Sequence, residues 1–310
     1  MSYTVDPQYT CQIQKPKDFD AFWKGVTDQL TDIPLNPEIY ADPLRSSSTV
    51  EVFRVFYNSL DSVKISGWYA IPRTRSSAMP GVLLFPGYLS DPPIPKTWAE
   101  KGYACLSVAP RGKIGSKQQF DPGYPGLLTH NIVDPNTYTY RGFYVDAWRA
   151  VDFLMSRSEI DDNRIGVTGI SQGGGLSITT AAMRPEVSVA SVGAPYLVGF
   201  MDSLLLTDTY PYEEINDYLR LYPERKEQVE STLAYFDGIN FADKITCHIM
   251  VHLGLQDNVC PPETGFHLFR ELKSQQKELF AYDGHGHDAN RKEHQKKIEA
   301  FFQKYIGSEI

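Results

Sequence analysis

The run Gly166-Val167-Thr168-Gly169-Ile170-Ser171-Gln172-Gly173-Gly174-Gly175 constrains this chain more than any other segment. Its first half is strand-like, and the glycines lead into Leu176 to Met183, a helical stretch that stops before Pro185. A strand that breaks through a serine-bearing turn into a helix has no room for Cβ atoms two residues either side of the serine. Gly169 and Gly173 occupy those two positions of a G-x-S-x-G pattern. Five-residue matches arise by chance in glycine-rich turns, so the flanks decide. Arg164 to Thr168, opened by the turn-like Asp161-Asp162-Asn163, reads as an interior parallel strand, and Ser171 is predicted to be a nucleophile exposed above the sheet edge.

The rest of the pattern fits a sheet of that kind. Gly81 to Phe85, Ala104 to Val108, Ile165 to Thr168, Val189 to Val192, Ile249 to Leu253 and Leu279 to Tyr282 are short, nearly continuous apolar runs separated by helical stretches. Strands buried on both faces read this way, which predicts a mostly parallel sheet covered by helices on both faces. Thr49 to Tyr57 and Val63 to Ile71 read as an antiparallel hairpin ahead of it. Phe19, Phe22, Trp23, Val26 and Leu30 form a helical stripe that predicts an N-terminal extension docked on the main body. Phe143, Ala147, Val151 and Leu154 predict a sheet-packing helix, and Asn290 to Tyr305 a closing one. Residues 197–244 are too many for a simple connection and predict a small helical cap within a single domain spanning 1–310.

The 310 residues with 42% hydrophobic content suffice for one large core. A formal charge of -8 argues against a phosphate-tracking surface, so no nucleic-acid partner is expected. The N-terminus has no basic start or apolar h-region, and no apolar run reaches membrane-spanning length. A cytoplasmic protein without membrane contact is the expectation. Cys11, Cys105, Cys247 and Cys260 are spaced for neither zinc nor a disulfide framework, and Cys105 and Cys247 read as buried strand thiols.

A serine hydroxyl needs an imidazole to take its proton and a carboxylate to orient that imidazole, in the chain order serine, acid, histidine. Asp257 follows the apolar strand that ends at Leu253 and is the predicted acid; Asp243 and Asp283 are rivals. His285 and His287 both follow the last strand, and only one of them can be the base. As a metal site the pair lacks further ligands, and no metal or cofactor is expected. His130 and His294 read as surface residues, and His248, His252 and His267 as structural ones. Oxyanion donors are expected from the main-chain N–H of Gln172, after the nucleophile, and from that of Tyr88 in Phe85-Pro86-Gly87-Tyr88, where Pro86 cannot donate. The Tyr88 phenol could alternatively wall the pocket. Arg111 is expected to tie loops near the site.

These residues resemble the acetyl xylan esterase and cephalosporin C deacetylase group of α/β-hydrolases, carbohydrate esterase family 7. The likeness runs from Phe22-Trp23 to Phe301-Phe302 and is most specific in Thr137 to Gly142, Gly166 to Gly175, Pro195-Tyr196-Leu197 and Ser231 to Asp237. It implies Ser171 as nucleophile, Asp257 as acid, His287 as the histidine of the family's terminal His-Glu pair, and Tyr88 as the oxyanion tyrosine. It also implies removal of acetyl groups from sugars and related alcohols, without cofactor, in a trimer-based hexamer. Three positions depart from the family pattern: Lys113 replaces the glutamine of Arg-Gly-Gln, Pro86 replaces a histidine, and Asp288 replaces the glutamate, with His285-Gly286 preceding. Two rival readings use the same residues: a hydrolase of longer acyl esters, thioesters or peptides, and a catalytically silent α/β-hydrolase that binds a partner.

Overall fold

The computed structural model describes residues 5–75 and 78–307. Among them nine strands form one sheet: β1 Glu38–Ala41, β2 Val50–Asn58, β3 Lys64–Pro72, β4 Met79–Phe85, β5 Ala104–Ala109, β6 Ile160–Ile170, β7 Val187–Gly193, β8 His248–Gly254 and β9 Lys277–Tyr282. The helices are α1 Phe19–Thr31, α2 Lys96–Ala99, α3 Thr139–Met155, α4 Gln172–Met183, α5 Phe200–Leu206, α6 Glu213–Leu221, α7 Lys226–Ala234, α8 Pro262–Glu271 and α9 Arg291–Ile306. The spatial order of the strands is β1-β2-β3-β5-β4-β6-β7-β8-β9. From β1 to β5 the neighbours run antiparallel, and from β5 to β9 they run parallel.

The continuous apolar runs follow from burial on both sides. Val82, Cys105, Val189 and Met250 pack with Trp98 of α2 and with Ile298, Phe301 and Phe302 of α9. Their chain neighbours Leu83, Leu106, Ala190 and Val251 join the main cluster with α3 and α4 on the opposite face. Alternating side chains of one strand thus serve two different helical layers, which leaves no polar face for the sequence to display. Of the four cysteines, Cys105 lies inside β5 as expected, whereas Cys247 is half-buried just before β8 begins.

Helix α1 docks as its stripe predicts. Phe19, Trp23, Val26 and Leu30 are buried, and the Trp23 ring lies against Tyr144, Trp148, Phe236 and Phe241. The indole N–H donates to the Tyr235 carbonyl at 2.9 Å, so the extension is tied both to α3 and to the chain that follows α7. Residues 197–244 hold α5, α6, α7 and two 3₁₀ turns. Asp237 anchors that segment: its buried carboxylate accepts the N–H groups of Gly199, Phe200 and Ile239, while burial pushes its pKa up to about 6.

In an open α/β sheet, chemistry gathers beyond the carboxyl ends of the parallel strands, where successive crossovers diverge to opposite faces. Here β4 is that strand: it lies between β5 and β6, with α2 on one face and α3 on the other. Phe85, the last residue of β4, is paired in register with Gly169 of β6, so the loop beginning at Pro86 starts beside the Ser171 turn.

Candidate active site

Ser171 links β6 to α4 with φ 59° and ψ -124°, a conformation that costs a non-glycine residue about 1–3 kcal/mol and persists only where its surroundings over-determine it. Three main-chain bonds do so. The Ser171 N–H donates to the Gly193 carbonyl at 2.9 Å, and the Ser171 carbonyl accepts the N–H groups of Gly175 at 3.1 Å and Tyr196 at 3.0 Å. The steric requirement read from the sequence is met at both glycines: a Cβ on Gly169 would lie 2.4 Å from the Gly173 carbonyl carbon, and one on Gly173 would lie 2.3 Å from the Phe85 oxygen. The exposure expectation is not met. Ser171 is only 9% accessible, and the buried thiol of Cys260 lies within hydrogen-bonding reach of it.

Asp257 follows β8 and is buried. Its Oδ1 accepts the N–H groups of Val259 at 2.8 Å and Cys260 at 2.9 Å, which leaves Oδ2 for the Nδ1 of His287 at 2.9 Å. His287 follows β9 and is 32% exposed at its side chain. The two loops are locked together: the Gln256 N–H donates to the His285 carbonyl at 2.8 Å, and the Gln256 amide bridges the Asp283 carboxylate and the Gly284 N–H. His285 turns away instead and pairs with Asp288 at 2.9 Å, at the surface. Asp243 is taken by Lys15 at 2.8 Å, and Asp283 by Gln256. Geometry therefore separates His287 and Asp257 from each of their rivals.

The loop after β4 is held from several sides. The Tyr88 phenol donates to Glu214 Oε1 at 2.5 Å and accepts the Leu128 N–H at 3.2 Å. Glu214 Oε2 accepts the Gly126 N–H at 2.9 Å. The phenol is thus engaged in a buried network, and burial followed by the nearby Glu214 pushes its pKa far up. The Lys113 ammonium donates to the Gly87 carbonyl at 2.9 Å and to the Tyr88 carbonyl. From the other side the Gln172 side chain reaches the Gly87 carbonyl at 3.4 Å, itself oriented by the Tyr140 hydroxyl at 2.7 Å. The side chain of Gln172 is fully buried, at the first position of α4.

Arg111 ties loops together, as expected. Its Nε and Nη2 clasp the Asp146 carboxylate at 2.8 and 2.9 Å, its N–H adds a third bond to the same group, and Nη2 reaches the Leu60 carbonyl. The clasp explains the glycine of the Arg141-Gly142 pair, because a Cβ at Gly142 would lie 2.1 Å from the guanidinium.

Cys260 and Glu214 at the site carry no signal that sequence reading used, and Tyr140 enters it only as part of the Thr137 to Gly142 segment. For Cys260 the spacing of three from Asp257 is a usable cue; for Glu214, on α6, there is none. The surface reading of His294 is also overturned: it is fully buried, its ring stacked on His252 at 3.9 Å and its Nδ1 bonded to the Tyr282 hydroxyl at 2.7 Å. Among the described residues there is no group of three or more His, Cys, Asp or Glu placed to hold a metal ion, and no helix long and apolar enough to cross a membrane.

A parallel sheet with this strand order and a serine elbow after β6 defines an α/β-hydrolase. The structure of acetyl xylan esterase from Paenibacillus sp. R4 superposes with a TM-score of 0.91 at 32% identity, covering 97% of this chain and 98% of that one. Acetyl xylan esterase 1 from Thermoanaerobacterium sp. JW/SL YS485 gives a TM-score of 0.86 at 27% identity, with 96% of each chain covered. Acetyl esterase Axe7A of Xylanibacter ruminicola is 28% identical over 271 residues, 82% of this chain and 59% of its own length. The chain thus spans about three fifths of the length of that relative. The acetyl xylan esterase family profile matches residues 4–305, and the chain belongs to that family.

Proposed function

We propose that this protein is a serine esterase that removes acetyl groups from carbohydrate or related alcohol esters. Ser171 Oγ attacks the ester carbonyl while His287 Nε2 takes its proton. The tetrahedral oxyanion is held by the main-chain N–H groups of Tyr88 and Gln172. The intermediate collapses with cleavage of the carbonyl–alkoxy bond, and His287 returns the proton to the departing alcohol. Water then attacks the acetyl-enzyme with His287 again as base, and acetate leaves as Ser171 Oγ regains its proton.

The observation that carries this reading is the 2.9 Å contact of Asp257 Oδ2 with His287 Nδ1, which fixes the tautomer that leaves Nε2 free to accept a proton. Family membership supports acetyl as the acyl group, since the similar proteins bear the names acetyl xylan esterase and acetyl esterase. We also propose that residues 197–244 act as a cap, supported by the bond from Glu214 of α6 to Tyr88. The trimer-based hexamer belongs to the same proposal; light scattering tests it, and a 35 kDa species would remove it.

Hydrolysis of p-nitrophenyl esters of acetate, butyrate and octanoate by the wild type and Ser171→Ala tests the central claim. Serine-dependent turnover that falls steeply after acetate supports a deacetylase. Efficient octanoate turnover would reassign the protein to longer acyl chains, and the absence of turnover together with no fluorophosphonate labelling would leave a silent fold.

A further inference from the structure

The oxyanion donor assigned to Tyr88 is one end of a peptide unit whose other end is the Gly87 carbonyl, and that carbonyl is where the Lys113 ammonium sits, 2.9 Å away. The peptide group is planar and conjugated, so a charge that draws electron density toward the Gly87 oxygen makes the Tyr88 N–H a stronger donor. The same ammonium also donates to the next carbonyl, that of Tyr88 itself. One cation thus bridges two successive carbonyls and fixes the orientation of the N–H between them. Lys113 is 2% exposed, and its neighbourhood offers little screening.

We propose that Lys113 is a positioning residue for ester hydrolysis, whose ammonium polarises and orients the Gly87–Tyr88 peptide so that its N–H stabilises the tetrahedral oxyanion. The inference rests on the reading of the Tyr88 N–H as an oxyanion donor.

The groups that face the ammonium set how the device responds to pH. The Tyr124 ring lies 4.8 Å from Nζ, and the Asp91 carboxylate on the neighbouring loop favours the charged form. Burial outweighs Asp91 and brings the Lys113 pKa down to about 8. Burial pushes the phenols of Tyr124 and Tyr88 the other way, far above that range, and burial also raises the pKa of the Glu214 carboxyl behind Tyr88. An amine with a pKa of about 8 is charged below that pH and neutral above it, so kcat should fall as pH rises through about 8.

The test compares wild type, Lys113→Gln and Lys113→Met, using kcat and KM for p-nitrophenyl acetate, affinity for a phenylboronic acid that forms a tetrahedral adduct on Ser171, and the ¹⁵N-tyrosine amide spectrum. Removing an oxyanion donor outright costs roughly 10²–10³ in kcat, so losing its polariser should cost Lys113→Met about tenfold, with KM changed less than about threefold. Boronate affinity should fall in step with kcat. Lys113→Gln, which keeps a donor but no charge, should lie between and lose the alkaline limb of the pH profile. Unchanged kcat and boronate affinity in both variants, or an alkaline limb retained in Lys113→Gln, overturns the proposal. If the Tyr88 amide does not shift when boronate binds the wild type, the oxyanion reading itself fails. If that amide shifts while the variants behave as wild type, only the role of Lys113 falls. Should Lys113→Met not fold, Lys113→Gln and the wild-type pH profile decide.

Discussion

Glu214 accepts the phenol of Tyr88 at 2.5 Å, so a helix of the 197–244 segment is bonded directly to the loop assigned to the oxyanion. Burial raises the pKa of Glu214, while the Tyr88 hydroxyl and the Gly126 N–H oppose that shift by favouring the ionised form. Removing either partner leaves the other buried without its bond, a cost that the double variant does not incur a second time, although the Leu128 and Gly126 N–H groups then lose their acceptors. Tyr88→Phe and Glu214→Leu should each destabilise the fold by about 1–3 kcal/mol, and the double variant by clearly less than their sum. Tyr88→Phe keeps the main-chain N–H and should retain most of its kcat. Additive losses in chemical denaturation would show that the two side chains are not coupled.

The assignment of the base is sharper still. His285 bonds with Asp288 at the surface, and His287 with buried Asp257. His287→Ala should lower kcat by at least about 10³-fold, comparable to Ser171→Ala, because triad members act as a unit. His285→Ala should stay within about threefold of wild type on the same reasoning, since its ring touches neither Ser171 nor Asp257. Rates of fluorophosphonate labelling read both variants independently of substrate. A collapse in His285→Ala with activity kept in His287→Ala would reverse the roles.

Most of the sheet was readable in the sequence because strands buried on both faces have only one way to look. β1 was not: Glu38–Ala41 is four residues long and half-exposed, and carries no alternation strong enough to stand out. Ser171, Asp257 and Tyr88 could be read because each follows an apolar strand, and strand ends define the site in this architecture. The choice between His285 and His287 needed the family resemblance, since both lie beyond the same strand and only their side-chain partners in the fold, Asp288 for one and Asp257 for the other, separate them. Glu214 was out of reach, being 126 residues from its partner with no local pattern to mark it. His294 was misread although its signal was present: it stands four residues before Ile298 and seven before Phe301 on the buried face of α9, a spacing that outweighs the usual exposure of histidine.

The stacked pair His252 and His294 makes a pH prediction. Burial, helped by nearby positive charges, lowers their pKa values to about 3 and about 4. Folded pKa values below the unfolded value of about 6.5 mean that the unfolded chain takes up the protons first. Their contribution to stability is therefore complete above about pH 6.5 and is lost as pH falls toward 4. Two such groups give a slope of up to about 2.7 kcal/mol per pH unit in that window. His294→Gln should flatten the slope by roughly half in urea titrations at successive pH values. An unchanged slope would place the acid sensitivity elsewhere.

The last prediction concerns the N-terminal extension, whose Trp23 is fully enclosed by rings from α3 and from the segment after α7. Removing the indole deletes a fully buried ring of α1 and also leaves the half-buried Tyr235 carbonyl without its donor at 2.9 Å. Trp23→Ala should cost about 3–5 kcal/mol, and Trp23→Phe less, because the ring volume is largely kept while the hydrogen bond is not. Since α1 touches the chain after α7 and not Ser171, the folded fraction of Trp23→Phe should keep the wild-type kcat for p-nitrophenyl acetate. Thermal unfolding and active-site titration by fluorophosphonate separate the two effects. A drop in kcat per labelled site, with little change in unfolding temperature, would mean that the extension shapes the site and not only the stability of its support.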